Sequence, residues 1–304
     1  MRVALPGGAL ELEPGRPALM GIVNATPDSF SDRQGTKALD ELVERALGLH
    51  RDGAEIVDVG GESGRTDRPT VSEDEEIARV VPLVQRLVRE RVAVSVDTWR
   101  PGPARAALEA GAAMVNDVSA LAQPRLAELC AEYGAALVIT HTRVPPKVKG
   151  FPDCADVVAD VIELLRERSA RAQEAGLAAE QILFDPGLDL GKRVEESIEI
   201  LRRLSQLEAL GRPLLLAISR KDFVGSITFR RPAERDPGTL AAIEPAFDLA
   251  LGSLIRVHDV AGAADFMAVR RELRGDAPSL PDSAPPAGRL ARRSLPLELR
   301  RETA

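Results

Sequence analysis

Short apolar runs alternate with segments of helical spacing along most of the chain. The eight runs cover residues 18–24, 54–60, 92–97, 112–117, 135–141, 181–185, 213–221 and 253–259. Runs rich in Val, Ile, Leu and Ala between helices are typical of parallel strands buried on both faces. Eight strand–helix units in about 250 residues predict an α/β fold, the (β/α)8 TIM barrel.

The segments between the runs carry apolar residues on one helical face. In the segment 38–53, Leu39, Leu42 and Leu49 share a face, and Gly53 is a typical helix stop. The expected helices cover residues 38–53, 74–91, 101–110, 124–133, 154–176, 194–210, 237–251 and 261–273. Three long polar loops, at 25–36, 61–72 and 142–153, follow the first, second and fifth strands; they are candidate lids or, alternatively, plain surface loops.

These patterns divide the chain into three parts. We expect residues 1–16 to form a short N-terminal hairpin that plugs the amino-terminal mouth of the barrel. Residues 17–275 form the predicted barrel domain. Residues 276–304 are rich in Pro and Arg without helical or strand period, and predict a flexible, disordered C-terminal tail. The alternative for the tail is a helix at 294–301 that packs on a partner subunit.

Composition narrows the functional class. The 304 residues carry a formal net charge of −7, which argues against nucleic-acid binding as the main role. No apolar run approaches the ~20 residues that a membrane span needs, and the first residues do not resemble a secretory signal. We therefore expect a cytoplasmic protein with no membrane partner. Cys130 and Cys154 have no CxxC partner, and a disulfide between them is not expected in that compartment.

Polar residues end the apolar runs, where a barrel of this type gathers its active site. The set consists of Asn24, Glu62, Asp97, Asn116, His141, Asp185, Lys221, Arg256 and His258. Within it, Asp97, Asn116 and Asp185 suit a flat heterocycle whose edge alternates N–H donors and carbonyl acceptors. The alternative for each Asp alone is that it caps the following helix.

A second set of strand-end residues suits a phosphate or pyrophosphate. Asn24, Arg65, Arg256 and His258 combine basic donors with an amide oxygen that could hold Mg²⁺. Lys221 is a point charge or donor for a bound ring or leaving group. For His258 the alternative is a core histidine bonded to backbone.

The motifs that contain these residues resemble those of the dihydropteroate synthase family of pterin-binding barrels. They are MGIVNATPDSFSD at 20–32, VDVGGES at 57–63, SVDT at 95–98, VNDVS at 115–119, DPG at 185–187, SRK at 219–221 and RVHD at 256–259. The segments follow the order of the predicted strands and cover nearly the whole barrel.

The resemblance implies a transferase of folate biosynthesis. Such an enzyme condenses 6-hydroxymethyl-7,8-dihydropterin pyrophosphate with p-aminobenzoate and releases pyrophosphate. Asp97, Asn116, Asp185 and Lys221 would bind the pterin, and Asp97, Asp185 and Lys221 would act in catalysis. Asn24, with Mg²⁺ as cofactor, and Arg65, Arg256 and His258 would bind the pyrophosphate. The acceptor pocket would contain Phe30, Gly64, Thr66 and Asp222, and the partner would be a second copy in a homodimer.

Departures from the family pattern concentrate in the acceptor pocket. Where relatives usually have Thr-Arg-Pro-Gly, this chain has Gly64-Arg65-Thr66-Asp67. Asp222 replaces a Ser or Arg expected near the carboxylate of aminobenzoate, and it could turn outward or pair with Arg220 or Arg33. Three functions follow: a synthase with a loosened acceptor pocket, a paralogue that uses another amine or none, and a methyltetrahydrofolate-binding methyltransferase domain. The basic pair Arg256 and His258 argues against the third.

Overall fold

A computed structural model describes residues 1–25, 36–64, 66 and 68–275. Eight of its strands are parallel: β3 (Ala18–Asn24), β4 (Ile56–Gly60), β5 (Val94–Asp97), β6 (Met114–Asp117), β7 (Ala136–Thr140), β8 (Ile182–Asp185), β9 (Leu214–Leu216) and β10 (Ser253–Val257). They close into a barrel in the order β10-β3-β4-β5-β6-β7-β8-β9, which confirms the (β/α)8 prediction. All residues of β4 and β7 are buried, as expected for strands covered on both faces.

Helices fill the connections between the strands. They are α1 (Thr36–Arg51), α2 (Glu73–Arg89), α3 (Pro101–Glu109), α4 (Arg125–Tyr133), α5 (Val157–Glu174), α6 (Val194–Arg202), α7 (Asp222–Thr228), α8 (Asp236–Ala242) and α9 (Val260–Arg274). Short 3-10 helices cover Ala179–Gln181, Leu204–Leu210, Pro232–Glu234 and Glu244–Asp248. At the start of α2, the hydroxyl of Ser72 accepts a hydrogen bond from the Glu75 amide at 3.1 Å. This cap fixes where the loop after β4 ends.

A hairpin precedes the barrel, as the sequence predicts. Its strands β1 (Arg2–Leu5) and β2 (Gly8–Glu11) pair in antiparallel fashion, with Val3 opposite Leu10. Val3 and Leu10 belong to one buried apolar cluster together with Met20 and Ile56 of the barrel strands. The cluster includes residues from the first half of several strands, so the hairpin closes the amino-terminal mouth and leaves the opposite rim for chemistry.

Some predicted elements are too long. The predicted strand 213–221 is wrong beyond Leu216, because Arg220 has a φ of 59°, in the left-handed region that strands exclude. Lys221 therefore does not end a strand; it is the N-cap of α7, a helix that the sequence patterns do not indicate. The predicted helices 194–210 and 237–251 each divide into an α-helix and a 3-10 helix.

Residues 1–264 form one compact unit, whose boundary lies inside α9. The predicted domain limits of 17 and 275 stay a prediction, and the predicted tail 276–304 lies outside the described residues. Cys130 and Cys154 are free thiols. Within the described ranges, no helix has the length and apolar character needed to cross a bilayer.

Candidate active site

Strand register places three of the predicted polar residues side by side. Asn24 of β3 is opposite Gly60 of β4, Gly60 is opposite Asp97 of β5, and Asp97 is opposite Asn116 of β6. Gly60 leaves a gap in this row. A Cβ atom there would lie 3.6 Å from Asn24 Oδ1 and 3.8 Å from Asp97 Oδ2, so both oxygens border the same small space.

A buried charge network lies next to this row. Arg256 of β10 donates from Nε to Asp58 Oδ2 at 2.6 Å and from Nη2 to Asp97 Oδ2 at 2.8 Å. Asp58 is fully buried on β4, and its Oδ2 also accepts from Asn116 Nδ2 at 3.1 Å. Arg256 therefore spans the barrel interior between two carboxylates and fixes their orientation.

Two oxygen atoms of the network have spare hydrogen-bonding capacity. Asp58 Oδ1 and Asn116 Oδ1 are buried and have no hydrogen-bond partner among the described residues. Buried polar atoms without a partner cost free energy unless something satisfies them. An N–H-rich ligand edge in the barrel mouth would do so.

Asp185 ends β8 in a tight turn. Its Oδ1 accepts from the amide of Gly187 at 2.7 Å, and its side chain is almost fully buried. Gly187 has a φ of 67°, and a Cβ there would lie 1.9 Å from the carbonyl oxygen of His141. Only glycine fits this crossing, so the DPG motif is needed to hold the carboxylate at the rim.

Two lysines hold the loop that follows Asp185. Lys221 donates from Nζ to the carbonyl of Leu188 at 2.9 Å. Lys192, which is buried, donates to the carbonyls of Gly187 at 2.9 Å and His141 at 3.1 Å. Burial raises the pKa of Asp185 overall, and the charges of both lysines oppose that rise.

His258 follows β10 and bonds to Ser219. The Ser219 hydroxyl lies 2.8 Å from His258 Nδ1 and accepts from the His258 backbone amide at 3.1 Å. Burial and the charges of Arg220 and Arg256 lower the pKa of His258 to about 3, so the imidazole is neutral near pH 7. Because the Ser219 oxygen already accepts from the backbone amide, its O–H group is oriented to donate to His258 Nδ1. The proton of the neutral imidazole is then on Nε2, which can donate to a ligand.

The carboxyl group of Asp97 has a pKa shifted towards neutral pH. Its side chain is 20% exposed, yet burial in the mouth and the charge of Asp58 raise its pKa to about 7, against the opposing effect of Arg256. The site therefore holds a carboxyl group close to half ionised at neutral pH. Such a group can accept N–H bonds from a ligand once it releases its proton.

Several predicted rim residues lie elsewhere. His141 is buried beneath the rim, where its Nε2 lies 3.1 Å from Asp160 Oδ2 of α5, so its expected place in the mouth is wrong. Burial lowers the pKa of His141 to about 2. Glu62, two residues beyond β4, forms an ion pair with Arg100, which also bonds Glu76 of α2. Its role is to anchor the loop after β4.

The predicted acceptor residues are exposed. Gly64 and Thr66 lie on the surface of the loop after β4. The Asp222 side chain is 81% exposed and turns outward, where its Oδ1 accepts from Arg235 Nη1 at 2.9 Å. Pairing with Arg220 is wrong, because Arg220 bonds both oxygens of Asp236, at 2.7 and 2.8 Å. Phe30, Arg33, Arg65 and Asp67 lie outside the described residues.

The structure adds three residues to the predicted set. Asp58 lies within the VDVGGES motif, and a carboxylate inside an otherwise apolar strand is itself a sign of function. Ser219 lies in the SRK motif, and only the fold brings it to His258. Lys192 follows a glycine-rich segment that is too short for a P-loop, and nothing in the sequence pattern indicates its burial.

The donor set around Gly60 fits Mg²⁺. Mg²⁺ usually takes one or two protein oxygens and completes its shell with water and substrate phosphates. Asn24 Oδ1 borders the space above Gly60 and is suited to that role. Among the described residues no cluster of three His, Cys, Asp or Glu side chains could hold a metal by itself, so Asn24 would need phosphate and water as fellow ligands.

A family model described as "Pterin binding enzyme" matches residues 20–258. The chain is 38% identical over 272 residues to the dihydropteroate synthase of Escherichia coli (strain K12), an alignment that covers 88% of this chain and 95% of that protein.

Solved structures agree with this match. Dihydropteroate synthase from Xanthomonas albilineans in complex with 7,8-dihydropteroate superposes with a TM-score of 0.80 at 38% identity, over 91% of this chain and 100% of that chain. Dihydropteroate synthase from Thermus thermophilus in complex with 4-aminobenzoate gives a TM-score of 0.79 at 35% identity, over 90% of this chain and 100% of that one.

Proposed function

The chain belongs to the pterin-binding enzyme family as a dihydropteroate synthase-like transferase of folate biosynthesis, and from this premise we propose how its residues perform the reaction. It condenses 6-hydroxymethyl-7,8-dihydropterin pyrophosphate with p-aminobenzoate and releases pyrophosphate. Its substrates are small molecules that meet at the carboxyl ends of the barrel strands.

The pterin binds inside the mouth. Asp97 and Asp185 accept hydrogen bonds from the guanidine-like edge of the ring, and Asn116 Oδ1 accepts another. The observation that carries the proposal is that Asp97 and Asn116 are neighbours in the strand register and that Asn116 Oδ1 is buried without a hydrogen-bond partner among the described residues. Together they offer acceptors to a flat, N–H-rich ring. Lys221 donates to the ring once it leaves the Leu188 carbonyl.

The pyrophosphate binds at the neighbouring strand ends. Arg256 and the Nε2–H of His258 donate to its oxygens, and Arg65 is proposed to do the same from the loop after β4. Asn24 would hold Mg²⁺ together with phosphate oxygens. When bound, the ion neutralises charge that develops on the leaving pyrophosphate.

The reaction separates charge between these two groups of residues. The carbon–oxygen bond breaks with its electron pair leaving on pyrophosphate, and positive charge develops on the pterin methylene and ring. Fixed carboxylates near the ring and fixed cations near the phosphates stabilise this separation. The amine nitrogen of aminobenzoate forms the new carbon–nitrogen bond and then loses a proton.

A direct assay tests the proposal. The purified protein is given the dihydropterin pyrophosphate and Mg²⁺, with and without p-aminobenzoate, while pyrophosphate and dihydropteroate are followed by chromatography. We expect dihydropteroate in equal amount to pyrophosphate and only with aminobenzoate present. Pyrophosphate release without dihydropteroate would contradict the proposed acceptor.

One observation bears on the alternative of a different amine. Asp222 turns outward and pairs with Arg235, so its charge is partly compensated and directed away from the mouth. This placement favours p-aminobenzoate over a cationic acceptor. The same assay with a panel of aromatic amines that carry carboxylate, neutral or cationic substituents distinguishes an enzyme that uses p-aminobenzoate from one that uses a different amine.

The assembly and location belong to the same proposal. We propose a cytoplasmic homodimer, as the family resemblance implies. Sedimentation of the purified chain tests the dimer, and a monomer at micromolar concentration would contradict it.

A further inference from the structure

A lysine of the segment after β7 bonds the segment after β4, across the part of the rim where β5 and β6 end. Lys147 Nζ donates to the carbonyl of Ser63 at 2.8 Å and lies 3.8 Å from Glu62 Oε1. In the barrel, β4 and β7 are separated by β5 and β6, which carry Asp97 and Asn116. The contact therefore bridges the sector of the rim that holds the proposed ring site.

The backbone at Lys147 does not favour a lysine. The amide of Val148 donates to the carbonyl of Pro145 at 3.1 Å, which closes a turn with Pro146 and Lys147 in its middle. Lys147 has a φ of 68°. Proline followed by a left-handed residue is the pattern of a type II turn, and that second position favours Gly or Asn. The turn itself therefore gives no reason for a lysine here, and the contacts of its side chain are the feature to explain.

The partner of Lys147 is a buried carboxylate. The Glu62 side chain is 1% exposed, and its Oε2 accepts from Arg100 Nη2 at 2.6 Å. Its Oε1 has no hydrogen bond within the described residues, and this is the oxygen nearest to the Lys147 ammonium. Removing the lysine would take away a cation 3.8 Å from this buried oxygen, which is costly in a low-dielectric site.

The segment between Gly61 and Val71 has further anchors near its ends. Arg79 Nη1 of α2 donates to the Gly61 carbonyl at 2.8 Å, and Arg100 Nη1 donates to the Val71 carbonyl at 2.7 Å. These two come from the same side of the rim as the segment. Lys147 adds a fixed point from the opposite side, directly before Gly64, where the predicted acceptor residues begin.

We propose that Lys147 is a positioning residue for the aromatic-amine half of the site. Its ammonium holds Ser63 and Glu62, and through them orients the start of the loop after β4, residues 61–64, for the acceptor that attacks the bound pterin. The inference rests on the proposed function, since that function gives the segment an acceptor to receive. Lys147 itself touches no reacting atom.

Substitution by asparagine separates the ammonium from the turn. Lys147→Asn keeps a residue that accepts the left-handed backbone and removes the cation. We expect the KM for p-aminobenzoate to rise about tenfold, as for the loss of a charge-assisted hydrogen bond, with the Kd of the dihydropterin pyrophosphate within about twofold. Lys147→Arg retains a cation and should recover most of the lost affinity. The matched control is Lys149→Asn, an exposed lysine of the same loop, which should change neither constant.

Hydrogen exchange tests the same contact without substrates. In Lys147→Asn, peptides covering 61–72 should exchange at least several-fold faster than in the unmodified protein, while Lys149→Asn leaves them unchanged. Faster exchange with an unchanged acceptor KM would reduce Lys147 to a structural role and overturn the proposal. Equal losses for pterin and acceptor, or unchanged exchange, would also overturn it. If the unmodified protein forms no dihydropteroate, the proposed function fails, while exchange still decides whether Lys147 holds the segment.

Discussion

The two halves of the proposed site are built from different kinds of structure. Apart from Lys221 at the N-cap of α7, the proposed pterin half consists of side chains on barrel strands, where Asp97 and Asn116 are neighbours by register and Asp185 is fixed by a glycine turn. The acceptor half consists of exposed residues outside the strands, such as Thr66 in the loop after β4 and Asp222 in the first turn of α7. A shift of the strand register by one residue would move every side chain of that strand to the opposite face of the sheet. In an exposed loop, by contrast, a single residue can be substituted without moving its neighbours.

This difference explains where the chain departs from its family pattern. The proposed ring-binding positions all match that pattern, while the changes to Gly64, Thr66 and Asp222 are at exposed positions. Buried carboxylates interact strongly because little water screens them, and exposed ones interact weakly. We therefore expect changes to the buried residues of the pterin half to have large effects and changes to the exposed side chains of the acceptor half to have small ones.

The largest effect is expected at Asp185. Asp185→Asn removes the buried carboxylate that is proposed to accept from the ring, and it should lower the affinity for the dihydropterin pyrophosphate by roughly 10²- to 10⁴-fold, as for one or two bonds to a charged group. Isothermal titration measures it directly.

Asp153→Asn is the control for Asp185→Asn, because the Asp153 side chain is 96% exposed and pairs with Arg193 on the surface. The control should bind the pterin normally. If Asp185→Asn also binds with unchanged affinity while its circular dichroism matches that of the parent, the ring site has been assigned to the wrong carboxylate.

Sequence patterns are sufficient for the strand-borne half. Asn24, Asp97 and Asp185 each end an apolar run and Asn116 is one residue from the end of its run, and parallel strands that close into a barrel bring such ends to one rim. The exception is Asp58, which lies inside a strand rather than at its end. The apolar pattern predicts the position of a strand. It does not predict which polar residue inside the strand forms an ion pair with a side chain from another strand, as Asp58 does with Arg256.

Loops and side-chain partners are less predictable. The run 213–221 is apolar at first, which suggests a strand as far as Lys221, and the left-handed backbone at Arg220 has no signal in that pattern. His141 follows a strand like the others, yet Asp160 on α5 draws its ring away from the mouth. These outcomes depend on contacts between residues far apart in sequence, which no local period encodes.

The second largest effect concerns pH. Asp97 has a raised pKa of about 7, and only its ionised form accepts two N–H bonds. Below pH 7 the ionised fraction falls about tenfold per unit, so the Kd for the ring should rise by the same factor. Titration from about pH 5.5 to 8.5, in two buffers of different ionisation enthalpy, measures both affinity and proton release.

Lys192 provides the check on this assignment. Burial lowers its pKa to about 7 as well, but a lysine loses its charge as the pH rises, so its contribution would weaken binding above pH 7. The rise of the Kd below pH 7 should persist in Lys192→Met. An affinity independent of pH between about 5.5 and 7 would show that Asp97 is already ionised in the free protein.

A smaller effect is expected from Ser219, which bonds the ring of His258. Ser219→Ala leaves Nδ1 without its partner and frees the imidazole to rotate, so the KM for the dihydropterin pyrophosphate should rise about fivefold with kcat little changed. Steady-state kinetics at saturating aminobenzoate measures this. Ser226→Ala, an exposed serine of α7, is the control. If only the KM for p-aminobenzoate rises, Ser219 acts on the acceptor half of the site and not on the pyrophosphate.

The smallest effect is expected at Asp222, which the family resemblance places near the carboxylate of aminobenzoate. In the structure its side chain is 81% exposed and paired with Arg235, and exposed pairs contribute about 1 kcal/mol or less. Asp222→Ser should therefore lower the KM for p-aminobenzoate only about two- to threefold, and Asp222→Asn should do the same if charge is the cause. The effect should shrink in about 0.5 M salt because screening weakens exposed charges. A tenfold or larger change that survives salt would mean that Asp222 turns inward when the acceptor binds, and the acceptor half would then be as strongly coupled as the pterin half.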